Sequence, residues 1–174
     1  MALSMYDASI PGFVRMLNSI SGILDTAAAY AEAKKIDPSV LLSARLSPDM
    51  FPLSRQIQIM SDGSKAGVAR LAGVEAPSMP DTETTIPELK ERIAKTVAFL
   101  QSLKPEQFDG AEDRTITMKF GPADASFPAV DYLTSFVIPN FYFHATTAYA
   151  ILRHNGVEVG KPQYLAGVGQ YIKR

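Results

Sequence analysis

Six residues late in the chain, Leu133, Val137, Asn140, His144, Thr147 and Ile151, follow one another at steps of four, three, four, three and four. That spacing puts them on one stripe of a helix. The ends of the stripe are apolar, so it faces a core, yet its centre carries an amide, an imidazole and a hydroxyl. Burying such groups unpaired costs about 1–3 kcal/mol each. They must either satisfy one another and their neighbours or line a polar pocket. An imidazole titrating near about 6.5 can act there as a hydrogen-bond partner or as a general base.

An i, i+4 pair is also how a helix presents two ligands to a metal. Here the pair is Asn140 and His144, and a neutral amide oxygen is a poor ligand for zinc or nickel. The other histidine, His154, lies ten residues on, about 15 Å of helical rise, so the two cannot share an ion within one chain. Cysteine is absent. A further ligand would have to come from another helix, and Gln56, Gln58, Asp49 and Asp62 are the candidates. The expectation is therefore no resident cofactor, with a divalent metal at His144 as the lesser alternative.

Other signals have plainer accounts. His154 and Arg153 stand where cations meet the C-terminal end of a helix dipole. Arg55, Gln56 and Gln58 read as a solvated edge beside the apolar face of their helix. Gly167-Val168-Gly169 follows no strand and opens no helix, so it is not a phosphate loop. Ser4, Ser61 and Ser64 have no histidine and acid at a recognisable spacing. The aromatic group Phe136, Phe141, Tyr142 and Phe143 spreads too widely for one core face. It implies packing against the neighbouring hairpin, the C-terminal tail or a second subunit.

These residues need a frame, and 174 residues amount to a single domain, residues 1–174, at roughly 150 residues per domain. Hydrophobic types make up 47% and charged types 20%, enough to bury a core. Seventeen basic against eighteen acidic residues argue against a nucleic-acid or anionic-lipid partner. No apolar run reaches the roughly 18 residues of a membrane span, and Met1 to Phe13 lacks a signal-peptide pattern. Without cysteine, the expected compartment is the cytoplasm.

The elements follow from periodicity. Ile10, Phe13, Leu17, Ile20, Leu24, Ala28 and Ala31 predict a first helix over about Ser4 to Lys35, bent or briefly 3₁₀ at Pro11. Asp37-Pro38 opens a short helix through Leu42. Ser47-Pro48 predicts the start of a second long helix, closed by Gly73. A loop follows, Ala76 to Asp81. The capping box Thr85–Glu88 then starts a third helix, carrying Leu89, Ile93, Val97 and Leu100 and ending before Pro105. Ile116, Met118 and Phe120 alternate with polar residues as a half-buried strand. Gly121-Pro122 turns it into a partner over Ala125 to Phe127. The fourth helix runs from beyond Pro128 to His154-Asn155-Gly156, with a kink at Pro139. Gly160 to Arg174 should pack over the bundle or a neighbour. The fold class is all-α, a four-helix bundle with a small β-hairpin between its third and fourth helices.

Three stretches carry a resemblance. Tyr6-Asp7-Ala8-Ser9-Ile10-Pro11, Ser47-Pro48-Asp49-Met50-Phe51-Pro52-Leu53, and Asn140 to Tyr149 with Leu152-Arg153-His154-Asn155-Gly156 resemble a bacterial family of unknown function. That family sits in the DinB/YfiT-like superfamily, and the likeness spans nearly the whole chain. It implies an up-down-down-up helix order and a homodimer. In many members it also implies a three-histidine metal site serving thiol-dependent transferases and isomerases. One histidine comes from the second helix and two, four residues apart, from the last. On this sequence those positions are Gln56, Asn140 and His144, and His144 alone matches.

Two functions follow as expectations. The first is a homodimeric small-ligand-binding or interaction protein with a polar pocket at His144, Asn140, Gln56 and Thr147. The second is a metal-dependent thiol transferase or hydrolase-like enzyme using a weakened site around His144.

Overall fold

A computed structural model of the chain describes residues 3–166 and residue 171. Four long helices enclose the core: α1 (Met5–Lys34), α3 (Leu53–Ala72), α4 (Ile86–Ser102) and α6 (Ile138–His154), with the short α2 (Pro38–Ser43) between the first two. Two 3₁₀ turns (Pro105–Phe108 and Ala111–Asp113) lead into β1 (Thr115–Phe120) and β2 (Ala123–Pro128). The chain re-enters helix at α5 (Ala129–Asp131), passes through a π-helical stretch (Tyr132–Val137) and runs on as α6; α7 (Lys161–Tyr164) lies on the C-terminal segment.

Side-chain pairs fix the helix directions. Tyr6 meets Phe108, just past α4, while Asp25 pairs with Lys90 near its start, so α1 and α4 are antiparallel. Phe13 packs on Phe141 and Tyr30 lies against Gly156, so α1 and α6 run parallel. Gln56 meets His144, Gly63 meets Asn140 and Gly67 meets Val137, so α3 opposes α6. Taken together, these pairs spell up-down-down-up. The core between the helices holds Leu17, Ile20, Leu24, Leu53, Ile57, Met60, Ile93 and Ile151.

Local chemistry explains the boundaries. The Ser4 hydroxyl accepts from the Asp7 amide at 3.0 Å, and Thr85 and Glu88 complete their capping box. The hairpin is longer than expected, with Thr115 opposite Pro128 and Phe120 opposite Ala123. Its two-residue loop has Gly121 at φ 62°. Since Pro122 cannot follow with a positive φ, the turn is type II′. Ile116 faces inward while Thr117 and Ser126 bond across the outer face.

Three expectations turn on prolines, and one of them needs correction. The second long helix starts at Leu53, not at Ser47-Pro48. Phe51 precedes a proline, which disfavours helical backbone there, so Ser47 to Met50 form a turn instead. No 3₁₀ piece forms at Pro11, for α1 continues through it as α-helix. Ahead of Pro139 the chain places the π-helical stretch, widening the ladder next to a residue that cannot donate to it. Gly167-Val168-Gly169 lies outside the described residues. The part of the tail that is described packs on the bundle, Tyr164 bonding Thr146 at 2.9 Å and stacking edge-on with Tyr149.

Candidate functional site

The stripe predicted on the last helix faces inward. Leu133, Val137, His144, Thr147 and Ile151 are buried, and Asn140 is half-buried. The structure brings two of the four pocket candidates together. His144 Nδ1 and Gln56 Oε1 are 2.7 Å apart, and Gln56 Nε2 donates to the Phe51 carbonyl at 3.0 Å. Gln56 is 1% exposed, which overturns its reading as a solvated edge; Gln58 is buried as well, donating to Glu83 at 3.0 Å.

The hydrogen bonds decide the imidazole's protonation pattern. A carbonyl oxygen can only accept, so the Gln56 atom facing Phe51 is the NH₂ group. Its oxygen therefore faces His144 and accepts in turn, which requires a proton on Nδ1. Burial disfavours the charged ring and the nearby Arg55 charge adds to the effect, so the His144 pKa lies below the ordinary histidine value. At neutral pH the ring is uncharged, with Nδ1–H inward and a lone pair on Nε2. Nε2 has no side-chain or backbone partner among the described residues, and it is not sealed from solvent.

The other two candidates stand apart from that pair. The Asn140 amide packs against Gly63, where an added Cβ would come within 3.0 Å of Nδ2. Thr147 bonds the Phe143 carbonyl one turn back at 2.7 Å, so its hydroxyl belongs to the helix backbone. Around the imidazole, Phe143 packs edge-on at 5.2 Å between ring centroids, and the Arg55 guanidinium lies over the Phe51 ring at 5.9 Å. Phe51 and Phe143 are both more than half exposed. Within the aromatic group, Phe141 joins the core and Phe136 stacks on hairpin Phe127.

Of the remaining metal-ligand candidates, Asp49 accepts from Ser47, and Asp62 bonds both Lys65 and Arg92. Among the described residues no three of histidine, cysteine, aspartate and glutamate stand together around one point. The donors at Gln56, Asn140 and His144 do not fit a three-nitrogen metal site. Two are neutral amides, and the Gln56 oxygen already accepts from the imidazole.

A second polar cluster was missed by the sequence reading. Arg92, 2% exposed, bonds Asp62 at 2.7 Å, Glu83 at 2.8 Å, Asp81 at 2.9 Å and the Pro80 carbonyl at 3.2 Å. It ties the segment before α4 onto α3. One signal was available: Arg92 and Thr96 fall within the stripe of Leu89, Ile93 and Leu100.

A family model described as a domain of unknown function, DUF1993, matches residues 5–165. The chain belongs to that family. It is also similar to the crystal structure of a DinB family member protein from Shewanella denitrificans, with 44% sequence identity and a TM-score of 0.88. The likeness covers 92% of this chain and 91% of that one. No curated protein matches. For this DUF1993 chain the comparisons give family and fold, and they name no reaction.

Proposed function

We propose that the chain is a small-ligand-binding protein whose site is the Nε2 edge of His144. The observation that carries this reading is the relay from His144 through Gln56 to the Phe51 carbonyl. One buried side chain, Gln56, anchored on the Phe51 carbonyl, holds the ring in one tautomer, and the Nε2 edge left over is not sealed from solvent. A histidine that served the core alone would have no use for an accessible, unpartnered nitrogen. The family resemblance adds the homodimer, and the lack of cysteine supports a cytoplasmic setting; no helix among the described residues is long and apolar enough to cross a membrane. Elemental analysis of purified, untagged protein tests the non-metal character. Sub-stoichiometric metal, unchanged in His144→Ala, is expected. A stoichiometric ion lost in that variant would overturn the reading.

A second reading, an enzyme, is favoured by the same nitrogen. A neutral imidazole with a free lone pair is equipped as a general base, needing no metal to activate water or a thiol. Wild type and His144→Ala would be screened against glutathione-like thiols with electrophiles, and against simple esters. Rates that fall at least a hundredfold in the variant support this reading, and equal rates remove it.

A further inference from the structure

The ligand class can be narrowed from the groups beside His144, on the reading that His144 is the site. Helix α3 starts next to it, and its N-terminus is uncapped: Pro52 at the N-cap position supplies no side-chain hydrogen bond. The Leu53 amide bonds Ala44 and the Gln56 amide bonds Pro52. Among the described residues, the Ser54 and Arg55 amides between them have no acceptor. Two free N–H groups on the first turn of a 20-residue helix favour an anion there, helped by the helix dipole. His144 is the independent observation beside them. It is 8% exposed, held to this same first turn by Gln56, and has one ring nitrogen without a partner.

The neighbouring side chains agree with that polarity. Arg55 spends Nη1 on Asp81 and Gln58, while Nε and Nη2 have no partner among the described residues. A neutral Nε2 accepts a proton donor and gives nothing to an oxyanion. Phe51, beneath the Arg55 guanidinium, and Phe143, edge-on to His144, are both more than half exposed next to these polar groups. We infer that the site takes an aryl carboxylate that also bears an O–H or N–H donor. Its carboxylate would sit at the α3 N-terminus and Arg55, its donor on His144 Nε2, and its ring against the exposed Phe51 or Phe143 side chain.

Three probes separate these contributions: 3-phenyllactate, which has all three groups, 3-phenylpropionate, which lacks the donor, and 3-phenylpropane-1,2-diol, which lacks the carboxylate. Each is titrated into isotope-labelled protein while the Ser54 and Arg55 amides and the His144 ring nitrogens are followed by NMR. Phenyllactate should move both sets saturably and bind at least tenfold tighter than either other probe. Arg55→Gln, at a partly exposed position, should weaken phenyllactate at least tenfold and leave the diol unchanged. If the diol binds as well as phenyllactate, or Arg55→Gln has no effect, the anion assignment is wrong while the His144 site stands. If no probe moves the His144 ring, this inference and the small-ligand reading are both contradicted.

Discussion

Gln56 holds His144 through an amide oxygen, and that neutral acceptor leaves the ring's charge to burial and to Arg55. Gln56→Glu would place a carboxylate at the same atom, which favours the imidazolium. NMR titration of the variant should show the His144 pKa above the ordinary value, opposite to wild type. The lowered wild-type pKa also makes stability depend on pH. Between the folded value and about 6.5, the unfolded chain holds the extra proton, so stability rises with pH. The contribution is complete above about 6.5 and is lost as pH falls towards the folded value. Urea unfolding from pH 8 to pH 5 should therefore cost wild type more stability than His144→Gln, which keeps a donor towards Gln56 without titrating. At this scale the sequence was partly legible. Spacing pointed to His144 as a buried polar group, and the family resemblance pointed to Gln56. The tautomer and the separation of Asn140 and Thr147 depend on which side chains cross between helices, and spacing along one helix cannot carry that.

Between elements, the decisive contact is α3 against α6. Gly63 and Gly67 line the α3 face that meets Asn140 and Val137. A Cβ on Gly67 would stand 2.5 Å from Val137 Cγ1, so the two backbones approach where only glycine fits. Gly67→Ala should destabilise the protein by about 1–3 kcal/mol through overpacking, despite alanine's better helix propensity. Adding Val137→Ala should recover part of that loss, so a double-mutant cycle in urea should show non-additivity. Additive losses would mean that the contact is absent. Helix periodicity and capping residues located the long helices because both signals are local in the chain. The start of α3 was misjudged because Ser47-Pro48 and Phe51-Pro52 both punctuate the chain, and the second proline prevails. That misplacement mattered, since the true start supplies the first turn on which Gln56 sits.

At the scale of the whole molecule, the Arg92 cluster fastens the connection between α3 and α4 to the bundle. Burial works to raise Asp81 and Glu83; hydrogen bonds and charge from Arg55 and Arg92 overcome it at Asp81, hydrogen bonds from Arg92 and Gln58 with the Arg92 charge overcome it at Glu83, and both carboxyls lie below their usual range. The stabilisation they provide is present above the unfolded carboxyl values and lost as pH falls through the folded ones. Arg92→Ala should cost about 2–3 kcal/mol, less than the ~3–5 kcal/mol for a fully buried pair because Asp62 and Asp81 keep solvent contact. The segment from Pro77 to Thr84 should also become a preferred site of protease cleavage. The network stayed illegible because its acids come from a helix and a loop and meet the arginine only after folding. The central claim, however, concerns the His144 ring held by Gln56 on the first turn of α3. Long-range ¹H–¹⁵N correlation of the His144 side chain at pH 7 tests it directly. A protonated Nδ1 and a bare, pyridine-type Nε2 are predicted, persisting below the pH at which an ordinary histidine titrates. A proton on Nε2, or a ring already charged at pH 7, would contradict it.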